Sequence, residues 1–289
     1  MARIMITGAS GFLAQHIIPT FRMKDHHVIG VDTRPIRGEH TPHLFIQEDV
    51  RNLKYRDLLG VDYVVHLAWR TNIPDCSRHP EDSTNDNIDM TIHLLEVAKE
   101  AGVKKVFFPS TASLYGNNPT PWTEDMVAAP IEHYSWQKLA CESACRMYAQ
   151  SLGLETVVAR FFQIFGEYQR DDTALAAFLR AKKNGKPITL TETVAQSAFR
   201  SGQRDFIYAG DVAKAVYLLT MDERAKGGEI YNVSSGNCNT MQEIAEAIGA
   251  EVVWIPRRPW EVERHEGDIS KLKALGWSPQ INVIDWLKS

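Results

Sequence analysis

Tyr134-Ser-Trp-Gln-Lys138 sets a phenol and an ammonium four residues apart. In a helix that spacing places both side chains on one face. A neighbouring ammonium stabilises phenolate, so the pair predicts a tyrosine whose pKa is drawn down towards neutrality. Such a group can take the proton of a hydroxyl while hydride leaves the same carbon. Alone, a YxxxK spacing recurs by chance on solvated helix faces. Here it opens a helical run, Ile131–Leu152, that follows the strand-like Lys105–Ser110 and its sequel Pro109-Ser-Thr-Ala-Ser-Leu-Tyr-Gly116. Hydroxyls at the C-terminal end of a parallel strand stand where open α/β sheets bind ligands.

A second chemical signal lies at the other end of the chain. Thr7-Gly8-Ala9-Ser10-Gly11-Phe12-Leu13-Ala14 joins the first strand-like run, Arg3–Thr7, to the first helix-like run, Gly11–Met23. Gly8 and Gly11 permit a tight turn and close approach of backbone to a pyrophosphate, which the helix N-terminus favours through its N–H groups and dipole. Asp32 ends the next strand, about 20 residues on, where a carboxylate can accept from ribose hydroxyls and would repel a 2′-phosphate. This favours NAD over NADP, a preference tempered by the nearby Arg34. Asp49 can accept from an adenine amino group, although capping the turn ahead of Arg51 is its plainer role. A positively charged nicotinamide beside Tyr134 would further stabilise its phenolate.

These groups are positioned by alternating strand and helix patterns: His27–Asp32, Leu44–Asp49, Asp62–Ala68, the amphipathic Asn87–Ala101, Lys105–Ser110 and Glu155–Phe161. Asp62–Ala68 is apolar on both faces, as a buried parallel strand should be. The expectation is an α/β fold, a Rossmann-type doubly wound parallel sheet. After Phe162 the rhythm loosens. Helical patterns (Asp172–Asn184, Val212–Met221, Met241–Ile248) and short strands (Asp205–Tyr208, Glu229–Val233, Val252–Ile255) predict a smaller C-terminal α/β cap, with 188–201 irregular. We expect a dinucleotide-binding domain of residues 1–162 plus 205–224 and a substrate-binding domain of residues 163–204 plus 225–289.

Composition excludes other classes. The 289 residues are 44% hydrophobic, with formal net charge −4 and both signs interspersed. No basic run suggests nucleic acid, and no apolar run reaches membrane-spanning length. Four cysteines without CxxC spacing suggest neither a disulfide framework nor a metal site. Cys141 and Cys145, one helical turn apart, read as packing residues, and so does His66. The ten histidines show no metal spacing, and the N-terminus lacks a signal-peptide h-region. A cytoplasmic setting is expected.

Taken together, the motifs resemble the extended short-chain dehydrogenases/reductases, in their NAD-dependent sugar epimerase/dehydratase group. The resemblance runs over nearly the whole chain: TGASGFLA, Asp32, Asp49-Val50, VVHLAW (HLAA in the family), Asn87-Ile-Asp-Met-Thr91, STASLYG and YSWQK with Glu142. It continues through Arg160-Phe-Phe-Gln163, Arg204-Asp-Phe-Ile-Tyr208 with Asp211, YNVSSG and LGWSP. It implies that Thr111, Tyr134 and Lys138 are catalytic. It puts Phe12, Leu13, Val50, Leu67, Ala68, Asn87, Phe162 and the Tyr134–Lys138 pair on cofactor-binding positions and Arg204 and Arg258 on a substrate diphosphate, which suits a bidentate guanidinium. Gln163 occupies a substrate-side position where the family usually has Asn.

Dehydratases of the group carry acidic residues directly after the catalytic threonine, and its decarboxylases a glutamate in the same loop. Here Ala112 and Ser113 follow Thr111, so STASLYG resembles the 4-epimerases more closely. The resemblance then implies oxidation at C4, turnover of a 4-keto sugar in the pocket and hydride return to the opposite face. A nucleotide-4-ketosugar reductase or dehydrogenase using NAD(P) is the near alternative. A non-catalytic dinucleotide-sensing module is the distant one, disfavoured because the tyrosine, lysine and threonine are all retained. Departures cluster in the substrate half: Glu167, 189–203, Trp260-Glu261, and Trp69 in place of the second HLAA alanine, where it would narrow the pocket. The resemblance further implies a homodimer paired through the Asn87–Ala101 and Ile131–Leu152 helices.

Overall fold

The computed structural model describes residues 1–171, 173–193, 197–257 and 262–289. The chain runs β1 (Arg3–Thr7), α1 (Ala14–Arg22), β2 (His27–Asp32), β3 (Leu44–Gln47), β4 (Tyr63–His66), α2 (Ile73–Arg78), α3 (Pro80–Thr84), α4 (Met90–Glu100), β5 (Lys105–Thr111) and α5 (His133–Ser151). It continues with β6 (Glu155–Phe161), β7 (Gln163–Phe165), α6 (Ala174–Lys183), β8 (Ile188–Thr191), β9 (Gln203–Tyr208) and α7 (Ala209–Met221). It closes with β10 (Glu229–Val233), β11 (Cys238–Thr240), α8 (Met241–Ile248), β12 (Val252–Ile255), α9 (Ser270–Lys273) and α10 (Val283–Lys288).

Among the described residues, seven strands form one sheet in the order β10-β6-β5-β4-β1-β2-β3, paired in parallel throughout. Alternation along β1 sends Ile4 and Ile6 to one face and Met5 to the other. The first face packs Phe21 of α1 and Val212, Val216 and Leu219 of α7. The second packs Leu94 and Leu95 of α4 and Cys141 and Cys145 of α5. Helices on both faces make this the doubly wound sheet expected, because crossovers between parallel strands must cover both sides. The two cysteines are core thiols, as their spacing suggested.

The cap holds two smaller sheets, β11-β9-β7 and β12-β8. Residues 188–191 are therefore a strand and not irregular chain. Their parallel partner is β12, more than 60 residues away, so no local pattern could announce the pairing. Glu229–Val233, assigned above to the cap, pairs with β6 and completes the main sheet. The domain division we propose therefore gains this strand on the dinucleotide-binding side. Conversely, β9 pairs with β7 and β11 and not with the main sheet.

Two aspartates of the recognised motifs hold the parts together. Asp205 accepts from the backbone N–H groups of Ser235, Gly236 and Gly267. Asp211 accepts from those of Gln280 and Ile281. Both are buried, and each ties the cap's connecting loops to β9 or α7.

Candidate active site

The catalytic candidates meet where β5 ends and α5 begins. Thr111 is the last residue of β5 and caps the following turn: its Oγ1 accepts from Ser113 N and donates to Ser113 Oγ, both at 3.2 Å. Glu132 caps α5, its Oε1 accepting from Ser135 N at 3.0 Å, and so fixes the helix start two residues before Tyr134. Thr111 lies within hydrogen-bonding reach of the Tyr134 phenol.

The phenol itself differs from expectation. Burial pushes its pKa up, the Glu132 charge adds to that, and Arg170 and Thr111 oppose it. The sequence pointed to a phenol drawn towards neutrality, but the protein's own groups raise it. Removing an ionisable phenol from water penalises its charged form, and Lys138 is not among the leading influences on it. Arg170, from the loop after β7, is a neighbour of the phenol that motif spacing did not reveal.

Lys138 is 3% exposed. Its Nζ donates to the Pro109 carbonyl at 2.6 Å. Proline is tolerated here in a central strand because β4 pairs with β5 only as far as Phe107. Burial draws the Lys138 pKa down to about 7. The ammonium sits 3.5 Å from the centre of the Trp69 ring and 4.7 Å from that of Phe108.

A buried polar bracket ties this corner to the cofactor end. Asn87 Oδ1 accepts from Arg70 N, and its Nδ2 donates to Gln137 Oε1, each at 2.8 Å. Gln137 Nε2 in turn donates to Ser83 Oγ. Asn87 is thus committed to holding the 68–72 loop against α5. Gln137, inside YSWQK, is a positioning group the sequence reading overlooked, since a lone glutamine carries no signal until its partners are known. His66 bridges Thr7 and Thr91 at 2.8 and 3.1 Å. Burial, helped by the Lys138 charge, takes its pKa down to about 3, so it is the neutral core histidine expected.

At the cofactor end, Gly8 has φ +69°, and a Cβ there would lie 2.7 Å from Ala68 N. Only glycine permits both the backbone angle and this contact. A Cβ on Gly30 would meet Ala9 Cβ at 2.8 Å, so β2 also needs glycine to let the turn settle. Gly11 N donates to Gly8 O, closing the turn. Phe12 and Leu13 lead into α1, whose first turn carries no acidic residue. Its dipole therefore remains available to an anion. Leu67 and Ala68 N–H groups donate to Thr7 O and Oγ1, both at 3.1 Å. Asp32 is buried and accepts from Ser10 N at 3.0 Å and Arg34 N at 2.9 Å. These residues fit a dinucleotide: the turn has no room for a side chain, the helix end is uncompensated, and a carboxylate stands at the strand tip. Val50, expected at the cofactor, is instead buried in the core beneath the sheet's second face, where its apolar side chain packs with Met5 and Leu53 in the same cluster. Asp49 is bound to the Arg51 guanidinium and caps the turn at 50–52, and that hydrogen bonding keeps its pKa low. This is the plainer of its two expected roles.

On the substrate side, Phe162 is buried against Trp122, and Gln163 opens β7 with its side chain exposed. Arg204 Nη1 donates to Gln203 O and Glu263 O. Arg258 lies outside the described residues. A cleft of about 480 Å³ opens beside Gln203, between Asn117, Asn118, Arg257 and Arg264. Glu263 shares its lining and Glu266 pairs with Arg264; Arg257 and Arg264 were not singled out by motif, because a cleft gathered from separated loops has no local spacing. No cluster of metal-ligating side chains occurs among the described residues, and none of their helices is long and apolar enough to cross a membrane.

A sheet of this topology, with a glycine turn at β1, an aspartate at β2 and a threonine–tyrosine–lysine group at β5 and α5, defines a dinucleotide-dependent short-chain dehydrogenase/reductase fold. The family model for the NAD dependent epimerase/dehydratase family matches residues 4–234, and the chain belongs to that family. It is 27% identical to a putative UDP-glucose 4-epimerase of Methanocaldococcus jannaschii, over 99% of this chain and 98% of the relative. Among solved structures it resembles the UDP-N-acetylglucosamine 4-epimerase of Methanobrevibacter ruminantium in complex with UDP-N-acetylmuramic acid (TM-score 0.89, 26% identity, 99% and 96% of the two chains). It also resembles the Thermus thermophilus UDP-glucose 4-epimerase complex with NAD (TM-score 0.86, 28% identity, 99% and 96%).

Proposed function

We propose that this chain is an NAD-dependent epimerase of nucleotide-activated sugars, acting at C4 through a transient 4-keto sugar. The observation that carries this reading is the Thr111–Tyr134 pair at the sheet's C-terminal edge, followed by Ala112 and Ser113 in place of acidic residues. Without an acid there to protonate a departing hydroxyl, oxidation at C4 leads back to an alcohol. Bound NAD supplies the hydride acceptor and donor. Gly8, Gly11, Phe12 and Leu13 would hold its pyrophosphate, and Asp32 its adenosine ribose. Leu67, Ala68 and Phe162 would line its path, with Asn87 fixing the loop that carries the first two. Thr111 Oγ1 orients the sugar oxygen. Tyr134 Oη takes its proton and later returns it. Burial raises the Tyr134 pKa while Arg170 and Thr111 oppose the rise; a bound nicotinamide cation would favour the phenolate further. Lys138, buried and fixed on the Pro109 carbonyl, holds its charge on the same helix as Tyr134, and Arg170 adds a positive charge near the phenol. Gln163, Arg204, Arg258 and the adjoining cleft would take the nucleotide diphosphate.

The reading is tested on protein from the cytosolic fraction, in line with the cytoplasmic setting we propose. Nicotinamide absorbance is followed before and after UDP- and dTDP-sugars are added singly. Epimeric product is expected, with the cofactor restored to its starting state. Stoichiometric consumption of added NAD(P)H, or recovery of the protein only with membranes, would contradict the corresponding part of the proposal.

A homodimer is part of the same proposal. Along α5, Trp136 is 46% and Met147 48% exposed, and with Ala140 and Ser143 they share one helix face. Self-pairing of α4 and α5 would cover this stripe. Light scattering at micromolar concentration should give the mass of two chains; a single-chain mass rejects the dimer.

A further inference from the structure

Trp69 stands where the resemblance places a small residue, and its ring is the closest aromatic group to the Lys138 ammonium. The separation of 3.5 Å from ring centre to Nζ is short for a cation over an indole. Phe108 meets Trp69 edge-on, with centroids 5.7 Å apart and planes at 69°, and carries a second ring 4.7 Å from the same Nζ. The ammonium is thus enclosed by two aromatic rings and the Pro109 carbonyl. The Trp69 indole N–H is buried without a hydrogen-bond partner. A tryptophan buried for its donor normally has that donor satisfied. The contact to Lys138 is made through the ring's face.

We propose that Trp69 is a positioning residue of the active site, its indole face holding the Lys138 ammonium against the Pro109 carbonyl. Burial alone opposes a charge at this position. The electron-rich ring partly replaces the lost water and restricts where Nζ can lie. The other titratable groups around Lys138 are His66 of β4, Cys76 of α2, and Cys141, Glu142 and Cys145 of α5 itself. His66 stays neutral through the working range because its pKa falls to about 3. The cysteine thiols at 141 and 145 are pushed up by burial, so they too remain uncharged near neutrality. Glu142, paired with Arg160, and Cys76 also favour the ammonium, but they lie on α5 and α2, so a change at Trp69 alters the ring alone.

The test uses lysine labelled with ¹³C at Cε, with the Lys138 signal identified by its loss in Lys138→Arg. It is run on full-length protein with no substrate added. Trp69→Leu keeps the pocket apolar but removes the π face. The Lys138 midpoint is expected to fall by about one unit, a tenfold change in its acid dissociation constant. Trp69→Phe, which keeps a ring without the N–H, should fall by clearly less. In turnover, which rests on the proposed function, the alkaline limb of the kcat profile should move with the midpoint. An unchanged or raised midpoint in Trp69→Leu overturns the proposal, as does an equal fall in Trp69→Phe. A shifted midpoint in a protein without epimerase activity would sink the proposed function and leave the role of Trp69 standing.

Discussion

Tyr134→Phe is expected to lower kcat by about three orders of magnitude, within the range ascribed to a positioned acid–base group. It removes one oxygen and leaves the ring packed. The capping of α5 by Glu132 and the Asn87–Gln137–Ser83 bracket do not involve that oxygen. The glycine turn and Asp32 are formed by other parts of the chain. Dinucleotide affinity should therefore change by no more than about threefold, well under the 1.4 kcal/mol that corresponds to a factor of ten. Single-turnover rates with an epimerisable sugar, beside cofactor titration of the same preparation, separate the two effects. A variant that keeps more than a tenth of the wild-type kcat would remove Tyr134 from proton transfer. Equal loss of turnover and cofactor binding would instead make it a structural residue.

Glu142→Gln should produce the largest loss of stability. Arg160 donates Nε to Glu142 Oε1 at 3.0 Å and Nη2 to Oε2 at 2.8 Å, and both residues are buried. Burial works against the Arg160 charge, but the carboxylate outweighs it and holds the guanidinium above its ordinary pKa. The cation also lies 4.8 Å from the centre of the Tyr115 ring, and its Nη1 has no hydrogen-bond partner. Neutralising Glu142 leaves this buried charge uncompensated, at a cost of about 3–5 kcal/mol. The melting temperature should fall by about 6–10 °C. The double variant Glu142→Leu/Arg160→Met should recover much of that, because two apolar side chains replace the pair without a stranded charge. Calorimetry on the three proteins decides it. A fall of less than about 2 °C in Glu142→Gln would mean that water reaches the guanidinium and the pair is not sealed.

What the sequence determined by itself was whatever depends on neighbours along the chain. The Gly8–Gly11 turn, Asp32 at a strand end, the four-residue Tyr134–Lys138 spacing, the buried run of β4 and the strand-like run of β5 are local patterns. Backbone sterics and helical or strand period fix their meaning wherever they occur. They were enough for the doubly wound sheet and for most of the candidate site. The capping role of Asp49 beside Arg51 and the core role of His66 could also be read locally.

The tertiary structure decided whatever depends on chains meeting at a distance. The pairing of β8 with β12 and the return of β10 to the main sheet join segments far apart in sequence, so no periodicity announced them. The upward direction of the Tyr134 shift followed from burial and the Glu132 charge, which outweigh Arg170 and Thr111. A spacing argument counts only the lysine on the same helix face. Gln137 and Trp69 carried no motif of their own. Their roles exist only because the fold brings Asn87 to one and Lys138 to the other. Hydrogen bonds and ring contacts of this kind act over a few ångströms of space, whatever the separation along the chain.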